Sequence, residues 1–143
     1  MQLSLQTDYA LRTLMALAAS GELLSVDWIA NRNQISRNHL AKVSQKLQSD
    51  GYVVTTRGRG GGMRLARPAD QINVGEVVRR FENLDAFIGC LEGGSGCKID
   101  GLCGLKPALT GALGQFLDHL DGFTVADITP KTDKFLKRLQ IAQ

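Results

Sequence analysis

The chain has 143 residues, 43% of them hydrophobic and only 6% aromatic, with a formal net charge of +3. That is enough aliphatic material for one core, the size of one domain or of a small domain with an extension. No apolar run approaches bilayer length, and the N-terminus lacks the charged start and apolar stretch of a signal peptide, so a cytoplasmic protein is expected.

Leu5 to Ala19 predicts a helix, with Leu11, Leu14, Met15 and Ala18 at helical spacing and Gly21 as its stop. Ser25 caps a second helix, Val26 to Asn33, with Trp28 and Ile29 as inward positions. Gln34-Ile35-Ser36 is long enough only for a turn. Ser36 then caps a third helix, Arg37 to Ser49, in which Leu40, Val43 and Leu47 make one inward stripe. Gly51 ends it. Tyr52 to Thr56 is a β-branched run and reads as a strand. Gly58, Gly60, Gly61 and Gly62 make a turn, Met63 to Ala66 alternates back as a second strand, and Pro68 ends it.

Asn73 and Glu76 have the form of a capping box, opening a helix through about Leu84 with Val74, Val77, Val78 and Phe81 inward. Gly89 to Gly104 is glycine-rich and irregular. A long helix follows from about Leu105 to Leu120. Leu105, Leu109, Ala112 and Phe116 form one apolar seam and Leu113, Leu117 and Leu120 a flanking one, which predicts burial on two sides. The tail from Thr124 holds a short capped turn, Pro130 and a basic amphipathic end.

Helix, short turn, helix and a hairpin with a basic glycine-rich tip is the order of a winged helix-turn-helix. The fold class is therefore mainly α with a small β-hairpin wing. Residues 1–70 make the DNA-binding domain, with the helix-turn-helix at about 26–49 and the wing at about 52–67. Charge agrees with this reading. Residues 32–67 carry eight basic side chains and one acidic one, a net +7, against −4 for the rest of the chain. A block of one sign points to a polyanionic partner, here double-stranded DNA.

A recognition helix reads base edges in the major groove with its first residues. Those are Ser36, Arg37, Asn38 and His39. Arg and Asn suit bidentate bonds to guanine and adenine. Lys42 and Lys46, four apart on one helix edge, suit phosphates, and the wing adds Arg57, Arg59 and Arg64. Gly60 and Gly61 let the wing backbone approach a groove. Phosphate contacts position and base contacts specify. An enzyme is argued against: there is no paired acid/base constellation, and the Gly60-Gly61-Gly62 run is not followed by the helix a phosphate-binding loop requires.

All three cysteines, Cys90, Cys97 and Cys103, fall within fourteen residues. An odd count in a reducing compartment argues against a disulfide framework. Structural zinc favours paired cysteines two to four apart and four ligands, and no such pair exists here. Thiolates on a glycine-rich loop also select iron–sulfur clusters. On spacing, a cluster is favoured, with zinc, a bare thiol sensor and no role as the alternatives. Three thiols leave a fourth ligand open. Glu92 and Asp100 are the nearby acids, and His119 lies well down the following helix.

Residues 7–12 (Thr-Asp-Tyr-Ala-Leu-Arg), 36–43 (Ser-Arg-Asn-His-Leu-Ala-Lys-Val), the wing sequence 57–65 and the three-cysteine loop together resemble the bacterial iron–sulfur winged-helix transcription regulators, the IscR/RirA/NsrR group. The likeness runs to about Thr129. Residues 101–109 and 123–128 are most similar to the nitric-oxide-sensing NsrR branch. The resemblance implies a homodimer built on the long helix, and this organisation: a connecting helix at 71–88, a cluster-binding loop at 89–104, a dimerisation helix and cap at 105–129 and a tail at 130–143. It implies an iron–sulfur cluster, 4Fe-4S favoured and 2Fe-2S possible, held by Cys90, Cys97 and Cys103. IscR-like members complete the site with a histidine three residues after the third cysteine, where this chain has Lys106. NsrR-like members use an aspartate of the first helix, which here is Asp8 of the partner subunit. Arg12, one turn on, is placed to pair with Asp8 when the cluster is absent; a plain surface pair is the simpler reading of the two residues. The implied function is a DNA-binding repressor released from its operator when nitric oxide damages the cluster. An iron-availability or redox sensor on the same scaffold is the alternative, because RirA-like members have wider cysteine gaps, and a cluster-free thiol regulator is a further one.

Overall fold

Short polar side chains start most of the helices in the computed structural model, which describes residues 2–87, 97–130 and 133–139. Ser4 opens α1 (Leu5–Ser20), Ser25 opens α2 (Val26–Asn33) and Ser36 opens α3 (Arg37–Ser49), each accepting a backbone N–H of the first turn. Each such cap contributes about 1 kcal/mol. Gly21, at φ 67°, stops α1 as predicted. The turn between α2 and α3 places Gln34 in the left-handed region at φ 55° and drives Ile35 into the core.

The wing consists of β1 (Val53–Thr56) and β2 (Gly62–Leu65), paired antiparallel with Val53 opposite Leu65 and Thr56 opposite Gly62. Strand β1 starts one residue later than its predicted span and ends where expected, and β2 is displaced by one residue toward the N-terminus. Tyr52 is fully buried at the wing's base, where its carbonyl accepts the Ala66 N–H. Leu24, which nothing in the sequence marked, bridges to Met63 through two backbone hydrogen bonds of 2.8 and 2.9 Å and pins the hairpin to the segment between α1 and α2.

After a short 3₁₀ turn at Ala69–Gln71 come α4 (Val74–Phe81), α5 (Leu105–Asp121), α6 (Val125–Ile128) and α7 (Asp133–Leu139). Helix α1 is the hub, touching α2, α3, β2, α4 and α6. Its buried face is Thr7, Ala10, Thr13, Leu14, Ala16 and Leu17, rotated from the predicted stripe of Leu11, Leu14, Met15 and Ala18. Small residues win there because neighbours approach closely, and the buried Thr13 hydroxyl is satisfied by Tyr9 O at 2.7 Å.

Helix α4 ends at Phe81, not Leu84. Glu82 turns extended, and its carboxylate accepts the Ser4 N–H at 2.6 Å. The Asn73 capping box is half formed. Asn73 accepts the Glu76 N–H, but the Glu76 carboxylate faces the wing base instead. The full capping box is Thr124 with Asp127, at α6. Helix α5 packs on α4, with Arg79 clasping Asp121 through both guanidinium nitrogens. Within one chain, the predicted two-sided burial of α5 is not realised: of its residues only Leu117 is buried, and Leu105 is 63% exposed.

Candidate nucleic-acid interface and cysteine loop

The start of α3 and the wing stand clear of the core. Ser36, Arg37, Asn38, His39 and Lys42 are exposed, as are Arg57, Arg59, Gly60 and Arg64. The stripe that anchors α3, Leu40, Val43 and Leu47, is buried against α1, so the opposite edge must face solvent. A cleft of about 510 Å³ separates α3 from the wing, lined among others by Asp27, Arg37, Lys42, Gln48 and Thr56. Thr55 donates to Gln48 at 3.1 Å across the base of this region, tying β1 to α3.

Several predicted contact residues have partners within the fold. The Ser36 hydroxyl accepts the His39 N–H as the cap of α3. Arg37 Nε donates to Asp27 of α2. Lys46 pairs with Asp50 at 3.1 Å and lies 5.0 Å from the Phe81 ring centroid, so its ammonium is drawn to the core side while Lys42 remains on the open edge. In the wing tip the Gly61 N–H bonds Gly58 O at 2.9 Å, and a Cβ at Gly61 would meet Thr56 O at 2.4 Å. Gly61 therefore shapes the tip, whereas Gly60, at φ 77°, lies open on it.

Asp27 was the residue missed by sequence reasoning. Its place in the first turn of α2 is ordinary for a carboxylate near a helix N-terminus. Only the α2–α3 angle brings it to Arg37.

The wing is also tied inward. The Tyr52 hydroxyl donates to Glu76 Oε1 at 3.0 Å, and Arg67 lies over the Tyr52 ring at 5.2 Å. Burial, and then the Glu76 carboxylate, push the Tyr52 hydroxyl far above the usual tyrosine range.

On the cysteine loop, Cys97 is exposed and Cys103 half-buried, both free thiols, on consecutive turns that pass through Gly101 at φ 84°. Cys90 and Glu92 lie outside the described residues. Asp100 is engaged by Lys106 at 3.2 Å, and His119 packs edge-on against Phe123 near the far end of α5. Asp8 accepts from Arg12 Nε at 2.9 Å, an i, i+4 ion pair within α1. Among the described residues no three His, Cys, Asp or Glu side chains converge on a metal position. The donors that are described, two free thiols on one loop, have the chemistry an iron–sulfur cluster requires.

Residues 3–131 match the model of the Rrf2 family, described as an iron-dependent transcriptional regulator. The chain belongs to the Rrf2 family. It is 42% identical over 146 residues to the "HTH-type transcriptional regulator NsrR" of Bacillus subtilis (strain 168), covering 100% of both chains. The protein of that name from Bacillus licheniformis is 43% identical over 142 residues, covering 97% of this chain and 99% of its own. Among solved structures, T. potens IscR superposes with a TM-score of 0.72 at 26% identity, covering 100% of this chain and 93% of that one. This Rrf2 chain is a winged-helix transcriptional regulator. Among the described residues no helix is long and apolar enough to cross a membrane.

Proposed function

We propose that this Rrf2 regulator is a repressor that binds an operator duplex as a homodimer, carries an iron–sulfur cluster and releases DNA in response to nitric oxide. The observation that carries the reading is the full-length likeness to regulators named NsrR, together with three cysteines on the loop before α5. Arg37, Asn38 and His39 read base edges. Lys42, Arg57, Arg59 and Arg64 hold phosphates, and Gly60 admits the backbone to the groove. Lys46, already engaged by Asp50 and Phe81, contributes less.

The homodimer accounts for α5. Its seam of Leu105, Leu109, Ala112 and Phe116 finds too little cover in one chain to be buried. A second α5 laid along it removes this surface from water, at about 25 cal/mol per Å² of apolar area.

Cys90, Cys97 and Cys103 would hold the cluster, with Asp8 of the partner subunit as the fourth ligand. When bound, the cluster supplies iron that reacts with nitric oxide. The Asp8–Arg12 pair gives the carboxylate a resting partner when it ligates nothing. Because the ligands come from both subunits, ligation ties the two DNA-binding units together, and its loss frees their relative position.

The test uses anaerobically purified full chain and a duplex selected from a random pool. Iron and acid-labile sulfide should co-purify, and nitric oxide should lower affinity for that duplex. Equal affinity before and after nitric oxide overturns the signal. A second reading, iron availability, is favoured by the family's description as iron-dependent. It predicts release on iron chelation without response to nitric oxide. Protein free of iron that still binds and responds to oxidants would establish the thiol regulator instead.

A further inference from the structure

Asp27 and Asp50 are the only acidic residues between Val26 and Arg67, on a face otherwise basic. Asp50 is turned away with Lys46 and its side chain is 17% exposed. Asp27 remains in the open, with 59% of its side chain exposed, paired to an Arg37 side chain that is 72% exposed. A carboxylate beside a phosphate-binding surface opposes DNA on charge alone. Its presence at the mouth of the cleft between α3 and the wing calls for a compensating role.

The pair's geometry supplies one. Arg37 is the first residue of α3, so its side chain leaves the helix at the end that would enter a groove. A cation there faces the positive end of the helix dipole and is not held by its own helix. Asp27 stands in the first turn of α2, whose start is fixed by Ser25 and whose angle to α3 is fixed by Gln34 and the buried Ile35. The carboxylate engages Arg37 through Nε. Among the described residues no other hydrogen bond of Arg37 is formed, which leaves the two terminal nitrogens as a free, planar fork. That fork is what guanine O6 and N7 accept in a bidentate pair. An arginine held at Nε loses side-chain freedom before DNA arrives, so less is lost on binding.

We propose that Asp27 is the positioning residue that makes Arg37 a guanine reader: a carboxylate on the supporting helix sets the specificity of the recognition helix. The inference rests on α3 entering the major groove. It predicts two opposite effects of removing the charge. Discrimination at one base pair of each half-site falls, while binding to DNA of arbitrary sequence tightens because a repulsive carboxylate is gone.

The experiment is selection from a randomised duplex library by the full-length, anaerobically purified protein, run in parallel for wild type, Asp27→Asn, Arg37→Ala and Arg59→Ala. Wild type should enrich a motif with a strong guanine in each half-site. Arg37→Ala should lose that guanine, and Asp27→Asn should lose preference at the same position by about tenfold, with every other position kept. Affinity of Asp27→Asn for a random-sequence duplex should exceed that of wild type. In the Arg37→Ala background, Asp27→Asn should change no base preference further. A merely structural role for Asp27 lowers the melting temperature without moving the motif. An Asp27→Asn motif identical to wild type, while Arg37→Ala loses the guanine, overturns the inference and leaves DNA binding intact. If wild type and Arg59→Ala alike enrich no sequence, the operator-binding reading fails and takes this inference with it. Should Asp27→Asn not fold, Asp27→Ser removes the carboxylate with a residue that suits a helix start, and the same outcomes apply.

Discussion

Tyr52, at the base of the wing, donates its hydroxyl to Glu76 of α4 across 3.0 Å, so the wing hairpin is bonded to the helix on which α5 rests. Tyr52→Phe removes that bond and leaves a half-exposed carboxylate that water re-solvates. The expected cost is about 1 kcal/mol, read as a lower urea midpoint with an unchanged slope. The pH dependence has a definite sign. The folded-state pKa of Tyr52 is raised, so its contribution is complete below the unfolded value near 10 and is lost as pH climbs toward the folded one. Wild type should lose more stability above about pH 10 than Tyr52→Phe does. Parallel loss in both proteins would remove Tyr52 as the cause.

Arg79 and Asp121 lock α4 to α5 from the other side. The hydrogen bonds from Arg79, and with them its charge, hold the Asp121 carboxyl below its usual range. A depressed folded-state pKa gives stability that is complete above the unfolded value near 4 and lost as pH falls through the folded one. Asp127, lowered by the Thr124 hydroxyl and backbone N–H, acts in the same direction. Unfolding midpoints measured across acid pH should fall more steeply for wild type than for Asp121→Asn. Equal slopes would show that the pair contributes nothing in solution.

Gly62 and Gly60 separate packing from backbone strain. A Cβ at Gly62 would lie 2.5 Å from Leu24 O, inside the bridge that pins the wing. Gly62→Ala should cost about 1–3 kcal/mol and weaken DNA binding as the hairpin shifts. Gly60, at φ 77°, has open space around it, so Gly60→Ala meets only the left-handed backbone penalty of about 1–2 kcal/mol. Thermal melts of the two variants beside an operator-binding assay give the comparison. A Gly62→Ala protein as stable as wild type would mean that Leu24 yields freely.

Asp8→Ala addresses the fourth ligand. On the surface of α1 alone, loss of the Asp8–Arg12 pair costs a few tenths of a kcal/mol. As a ligand to the partner's cluster, Asp8 should do more: its loss should change the visible absorption spectrum and hasten bleaching in air. A spectrum and decay identical to wild type would refute the ligand assignment.

Local chemistry made much of this fold legible. Ser25 and Ser36 bound α2 and α3 as expected, because N-cap preference acts within one turn of chain. The stripe of Leu40, Val43 and Leu47 is buried because helical period alone puts the three on one side. Misreadings came where distant segments compete for a group. Glu76 was expected to close a capping box, but the Tyr52 hydroxyl claims its carboxylate from another element. Helix α4 stops early because Glu82 is turned out toward Ser4, far away in sequence. Helix α1 buries threonines in place of the larger residues its pattern favoured, since as the hub it must admit close neighbours on several sides.

The amino-acid sequence by itself determined the element order, the basic wing and the grouping of cysteines ahead of a long apolar helix. Each of these is written in residue spacing and composition, which need no knowledge of what lies across the fold. Tertiary structure decided which charges are spoken for. Nothing in the sequence gives Arg37 an acidic partner, and Lys42 and Lys46 share one helix edge. Folding gives the first to Asp27, draws the last to Asp50 and Phe81, and leaves Lys42 on the open edge. An ion pair depends on distance and direction between side chains, and the angle between α2 and α3 sets both for Arg37.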